Sequence, residues 1–332
     1  MKIQFIWVWT QLLMMLVHSA EAKSIYGSDN RISVPANGSL LTGTRPSNIQ
    51  PSNIQLSNIQ LSNIQPRSVA LVSTTDYVEE TESNTGYSTY SRKTQQNNTQ
   101  PDGRFYSGSI DQTRFHDEIR MGYCTAFLVS PILLLTAAHC FQSKESCGNA
   151  VFLFDYHQSP KNQWNENENR RCDHIVSQTK TSDLDYTRPG KTLDYALIQL
   201  DRPIFDRTPL RISHDPAQHQ VGSPVSILGY SRGKTLKYAD QAKIFKQDGV
   251  KFVTNLDAFD GNSGSPVFNT DTGDVIGIFS SGDNDDNSKT QYDSKGNIIG
   301  LITRDQTYPE KPTLGEYVTP ISALLTLISL NI

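Results

Sequence analysis

From Met121 onward the chain is cut into short runs of aliphatic, β-branched and aromatic residues, at 125–129, 132–136, 151–154, 196–200, 225–228, 250–254, 267–269 and 275–279. Gly, Pro, Asn and Asp separate them, so each run is too short for an ordinary helix and is closed by turn residues. Such runs must bury their faces by pairing with one another, which predicts an all-β barrel or sandwich. One more run, Ser68-Val69-Ala70-Leu71-Val72, precedes this region and reads as its first strand. Helical spacing is scarce until the apolar stretch 321–332, which predicts a short C-terminal helix packed on the surface of a barrel. That stretch falls short of the ~20 residues a membrane span needs.

The N-terminal third has a different texture. Lys2 precedes an apolar run from Ile3 to Val17, and Ala20-Glu21-Ala22 offers small residues at both positions a signal peptidase reads, so residues 1–22 are expected to be a signal peptide. The protein is then expected to be secreted, extracellular or periplasmic. Residues 23–67 hold a pentapeptide repeat built on Ser-Asn-Ile-Gln, from Pro46 to Gln65. One Ile in five matches neither strand nor helix period, so this segment is expected to stay outside the core, as a propeptide or as filler. The folded domain is expected to span 68–332, with a polar insert at 74–104 forming a long exposed loop or a disordered segment. Asn-x-Ser/Thr sequences at Asn37 and Asn97 matter only in a glycosylating host.

Charged residues make up 19% of the chain and the formal net charge is -4, which gives no polyanion-binding surface and makes nucleic acid an unexpected partner. Four Cys suit two bridges in a secreted protein with a sizeable core. A metal site is the rival use, but no Cys-x-x-Cys spacing exists. The acidic loop 283–287 is read as solvated, because Ser288 replaces the turn Gly of an EF-hand and no Glu closes it. No metal and no cofactor are expected.

One stretch carries chemistry. In Asp257-Ala258-Phe259-Asp260-Gly261-Asn262-Ser263-Gly264-Ser265-Pro266-Val267, glycines at 261 and 264 allow a tight turn that can expose the Ser263 hydroxyl and aim backbone N–H groups at one point. A serine needs a base and an orienting acid to act as a nucleophile near neutral pH. Thr136-Ala137-Ala138-His139-Cys140 and Leu193-Asp194-Tyr195-Ala196-Leu197 offer both. Their order along the chain, His then Asp then Ser, is one of the three orders known for this triad.

Together the three stretches resemble the trypsin-like, chymotrypsin-fold serine endopeptidases. The resemblance implies two packed six-stranded antiparallel β-barrels with the cleft between them. It also implies His139, Asp194 and Ser263 as catalytic residues and the N–H groups of Gly261 and Ser263 as the oxyanion hole. It further implies a Cys124–Cys140 bridge beside the catalytic His, leaving Cys147 and Cys172 to pair. Within the family, Ile25-Tyr26-Gly27-Ser28-Asp29-Asn30-Arg31, Gly229-Tyr230-Ser231-Arg232-Gly233 and Lys237-Tyr238-Ala239-Asp240 are similar to a bacterial secreted branch that includes the glutamyl endopeptidases. Animal trypsins carry Asp before the nucleophile, where it receives the new N-terminal ammonium on activation; Asn262 has no charge to offer.

The resemblance implies a specificity pocket around Asp257, Ala258, Phe279 and Ser280. Asp257 stands where trypsins place the carboxylate that reads Arg and Lys, or it is a turn residue capping a backbone N–H. Glutamyl endopeptidases use a His where this chain has Phe279, which argues against Glu specificity. The strand at 279–282 is expected to pair with the substrate backbone. The reading is thus a monomeric, cofactor-independent serine endopeptidase acting on proteins or peptides, without stable membrane association. A catalytically inactive binding protein or adhesin on the same fold is the alternative. An α/β-hydrolase esterase is excluded by the order of the three residues.

Overall fold

The computed structural model describes residues 25–26, 29–34, 64–82, 87–93, 110–142, 144–156, 163–185, 187–282, 286–295, 298–305, 307–308 and 315–332. The stretch 1–22 read as a signal peptide, nearly all of the repeat, Asn37, Asn97 and the start of the acidic loop at 283–285 lie outside them.

Twelve strands form two closed antiparallel rings. The first uses β1 (Val69–Thr74), β2 (Cys124–Ser130), β3 (Leu133–Thr136), β4 (Ala150–Phe154), β5 (Asn169–Gln178) and β6 (Ala196–Leu200), in the order β5-β6-β3-β2-β1-β4, and closes by pairing β5 with β4. The second uses β7 (Pro224–Gly229), β8 (Lys237–Asp248), β9 (Lys251–Thr254), β10 (Pro266–Asn269), β11 (Val275–Ser281) and β12 (Glu316–Pro320), in the order β7-β10-β11-β12-β9-β8, and closes by pairing β8 with β7. This is the expected chymotrypsin-like pair of barrels.

Alternate residues of the first ring serve two cores, which is why its strands other than β5 read as apolar runs. Ala70, Val72, Ala126, Leu128, Leu134, Phe152 and Ile198 pack in one cluster. Val69, Leu71, Phe127, Leu135, Val151 and Leu197 join Leu228, Tyr230 and Phe268 of the second ring in another, so one continuous core ties the barrels together. The C-terminal run forms a 3-10 turn, Ile321–Leu324, and a short helix, Leu325–Ser329. Ile321, Leu324 and Ile328 insert into the shared core.

Two expectations change. The polar insert is not all loop: Val78–Glu82 and Ser88–Arg92 form a hairpin, with Gln163–Trp164 as a third strand. It is anchored because Val78 and Tyr90 reach the shared core and Arg171 pairs with Glu80 at 2.9 Å. The region 23–67 does contribute to the core as well. Ile64, in the last repeat, is buried just before the 3-10 turn Pro66–Ser68 that leads into β1. Further upstream, Ile32–Ser33 pairs with Lys237–Tyr238 of β8, and Val34 is fully buried. Arg31, only 1% exposed, lies over the Phe259 ring at 3.8 Å and is neutralised by Asp29 at 2.7 Å. A cation stacked on an aromatic face and ion-paired at once can be buried without an orphan charge, and that is what seats this strap.

Candidate active site

β3 ends at Thr136, and the chain turns at once into the 3-10 segment Ala138–Cys140, which carries His139 to the surface of the first barrel. Cys140 is bridged to Cys124 at the start of β2, and Cys147 to Cys172, the two pairings the resemblance implied. The first bridge closes a 16-residue separation around the His139 hairpin and is worth about 3 kcal/mol in the chain-entropy model. The sulfurs of Cys124 and Cys140 cluster with a His139 ring nitrogen. Both are oxidised in the bridge, so this trio lacks the thiolates a metal would take.

Asp194 precedes β6 and is 2% exposed. Its carboxylate accepts from the His139 backbone N–H at 3.2 Å, stands 2.7 Å from His139 Nδ1, and accepts from the Ser280 hydroxyl at 2.7 Å. Its own backbone is clamped by Thr319 of β12, whose Oγ1 accepts from Asp194 N–H at 3.0 Å and donates to its carbonyl at 3.2 Å. Burial works to raise the Asp194 pKa. The hydrogen bond and charge of His139, the charge of Lys251 and the Ser280 hydrogen bond outweigh it and hold the carboxyl below its ordinary value. With Asp194 ionised, Nδ1 carries the proton and Nε2 is left free to accept one.

Ser263 sits on the turn before β10, half-buried at the surface. Gly261 and Gly264 both have φ of +87°, and neither has room for a Cβ. At Gly261 it would lie 2.5 Å from Gly233 N and Tyr230 O, and at Gly264 2.1 Å from Thr125 O. The turn therefore needs glycine at both places for backbone angle and for space. Neither the Gly261 nor the Ser263 N–H has a partner among the described residues, so both are available to an incoming oxygen.

Thr125 of β2 was not singled out in the sequence, and it stitches this turn to the other barrel. Its N–H donates to Ser263 O at 2.8 Å and its hydroxyl to Gly261 O at 2.8 Å. The same hydroxyl accepts from Tyr230 N–H at 3.0 Å, so it is used in both directions. Cys140 Sγ lies 3.8 Å from Ser263 O, which brings the turns carrying His139 and Ser263 into contact. Only the adjacency of Thr125 to Cys124 hinted at its importance.

The four residues assigned to the specificity pocket are scattered in their roles. Ala258 and Phe279 pack in the apolar core of the second barrel. The Ser280 hydroxyl is committed to Asp194. Asp257, 2% exposed, accepts from the backbone N–H of Asn30 in the N-terminal strap at 2.9 Å. That bond matches the capping alternative for Asp257, with the capped N–H lying far away in sequence.

Residues 124–278 match the family model described as trypsin-like peptidase domain, a stretch that contains His139, Asp194 and Ser263. None of the curated proteins matches the sequence. Among solved structures, human heparin binding protein is 17% identical, covering 63% of this chain and 86% of its own, with a TM-score of 0.42. Kallikrein-related peptidase 10 is 18% identical over 63% of this chain and 89% of its own, with a TM-score of 0.40. The Vibrio cholerae VesB protease is 15% identical over 65% and 61%, with a TM-score of 0.42. The family match supports a trypsin-like serine peptidase, and the two disulfides are compatible with a secreted one. No described helix is long and apolar enough to cross a membrane.

Proposed function

We propose that the chain is a secreted serine endopeptidase that cleaves peptide bonds through an acyl-enzyme formed on Ser263. The observation that carries this reading is the His139–Asp194 contact at 2.7 Å, beside a turn on which the N–H groups of Gly261 and of Ser263 itself have no partner among the described residues. In the proposed reaction His139 Nε2 takes the Ser263 proton as Oγ attacks the substrate carbonyl. Asp194 holds the ring by Nδ1 and stabilises the imidazolium that forms. The Gly261 and Ser263 N–H groups receive the developing oxyanion. His139 then passes the proton to the leaving amine, and water repeats the sequence to release the acyl group.

Of the expected segment 279–282, only 280–282 is proposed to hold the substrate backbone by strand addition, because Phe279 already donates to Ser265 O at 2.9 Å and accepts from Gly264 N–H at 2.8 Å. The glutamyl-endopeptidase branch remains part of the proposal at the level of family similarity, without Glu specificity.

A peptidyl or alkyl phosphonate fluoride tests the assignment. One equivalent should add to the protein, with the adduct mapped by mass spectrometry to the peptide containing Ser263 and lost in His139→Ala. A folded protein that takes up no phosphonate, or takes it up elsewhere, would be an inactive binding protein on this fold.

A further inference from the structure

Beyond Ser280, which shares the Asp194 Oδ2 atom with His139 Nδ1, the second barrel buries a lysine. Lys251 opens β9 and is 3% exposed, and its ammonium donates to Ser280 Oγ at 2.7 Å. Ser280 in turn donates to Asp194 Oδ2 at 2.7 Å. An ammonium has no lone pair and can only donate, so a protonated Lys251 leaves the Ser280 hydroxyl one useful orientation, toward Asp194. Among the described residues no carboxylate lies within ion-pairing distance of this ammonium. A buried cation with a single neutral acceptor is costly, and structural convenience does not explain it.

We propose that Lys251 is a positioning residue for the Asp194–His139 pair, fixing the Ser280 hydroxyl as a donor to Asp194 and using its charge to set how readily His139 takes up a proton. The inference rests on the peptidase reading of the site for its catalytic meaning, but not for its physics. A positive charge behind Asp194 offsets part of the carboxylate's pull on the imidazolium, so His139 stays in its proton-accepting form to lower pH than it otherwise would. Burial presses Lys251 down to about 8, against the opposing pull of the Asp194 charge, so the device is charged at neutral pH and fades in mild alkali.

The other charged groups on the elements around Lys251 are engaged elsewhere. On β8, Asp248 accepts from the Tyr317 hydroxyl of β12 at 2.7 Å and lies 4.0 Å from Lys246. Glu316 of β12 is buried against Gly282. Beside the 3-10 turn Pro189–Lys191, Arg188 pairs with Asp185 at 2.8 Å, and Lys191 points to solvent. His139 itself meets Asp194 at Oδ2, the oxygen that also accepts from Ser280. Asp194 is the charge that Lys251 feels.

The test compares Lys251→Met, which keeps length without charge, with Lys251→Arg, which keeps the charge. In kcat/KM against pH on a peptide substrate, the acid limb of Lys251→Met should move up by about one pH unit, while Lys251→Arg should stay near the parent. The same displacement should appear, without any turnover, in the NMR titration of the His139 ring in a Ser263→Ala background. An unmoved limb and ring in Lys251→Met would overturn the assignment. So would an equal displacement in Lys251→Arg, since packing rather than charge would then be responsible. If Lys251→Met does not fold, Lys251→Gln, which also removes the charge, takes its place in both measurements and is read against the same two outcomes. A displaced ring titration in a protein that cleaves no peptide upholds Lys251 and removes the peptidase reading. An unmoved ring in an active enzyme does the reverse.

Discussion

The Thr125 N–H on the first barrel donates to the Ser263 carbonyl on the second at 2.8 Å, and the Thr125 hydroxyl donates to Gly261 at the same distance. One buried residue, by its backbone N–H and its hydroxyl, thus links the proposed nucleophile turn to the first barrel. Thr125→Val keeps the shape and removes the hydroxyl. It should lower kcat by roughly 10–100-fold, since small misplacements of reacting groups are costly, with KM nearly unchanged. It should also lose about 1–3 kcal/mol of stability, because Tyr230 N–H is left unsatisfied. Wild-type kcat in Thr125→Val would show that the turn holds itself.

The Cys124–Cys140 bridge fixes the backbone on which His139 stands. Replacing both cysteines by Ala should cost about 2–4 kcal/mol in urea unfolding and reduce turnover more than the loss of stability alone explains. Turnover that falls only in step with the unfolded fraction would deny the bridge a positioning role.

Much of this architecture was legible before any coordinate. Apart from β5, the strands of the first barrel are mostly buried on both faces and so declare themselves as apolar runs, and three short motifs mark the ends of strands and turns. Other parts were hidden for physical reasons. β5 and much of β8 are polar, half-exposed strands with weak alternation, and their pairing partners alone specify them. The strap at 29–34 is held by Arg31, Asp29 and a backbone N–H to Asp257, contacts that leave no periodic trace. Lys251 reads as an ordinary surface lysine until the fold closes over it.

The strap has consequences for maturation. A cut after Arg67 would discard Arg31, Ile32 and Val34, which cover part of the second barrel. N-terminal sequencing of the active protein should therefore find a start at or before Asp29. A version beginning at Ser68 should melt at least several degrees lower and bind hydrophobic dye. An active, stable protein that starts at Ser68 would contradict the strap's structural role.

Asp257 should behave as part of the same junction. Asp257→Ser should destabilise the protein by about 1–3 kcal/mol as the Asn30 N–H loses its charged acceptor, and should leave the preferred residue before the scissile bond unchanged. A shift from Arg and Lys toward apolar residues in the cleavage profile would instead place Asp257 at the base of the pocket, as in the trypsins.

Acid should loosen the strap. Burial works to raise Asp29, but the charges and hydrogen bonds of Arg31 and the charge of Arg114 hold it below its ordinary value, and Asp194 is likewise lowered. The unfolded chain therefore binds protons on these carboxyls at higher pH than the folded one. The stability they contribute is complete above the ordinary carboxylate range and is lost as pH falls through the lowered folded values. Thermal melts between pH 6 and pH 2 should show this decline, and Asp29→Asn should begin less stable and decline less. An identical slope in Asp29→Asn would remove Asp29 from the acid response.

The central claim is that Ser263, served by His139, breaks peptide bonds. Its most direct test is hydrolysis of a mixed peptide library, read by mass spectrometry, with the wild-type protein and Ser263→Ala prepared in parallel. The account predicts defined cleavage by the wild type and a loss of about 10⁶-fold in Ser263→Ala, with the two proteins melting at similar temperatures. Cleavage that persists in Ser263→Ala, or a well-folded wild type that cleaves nothing, would contradict it.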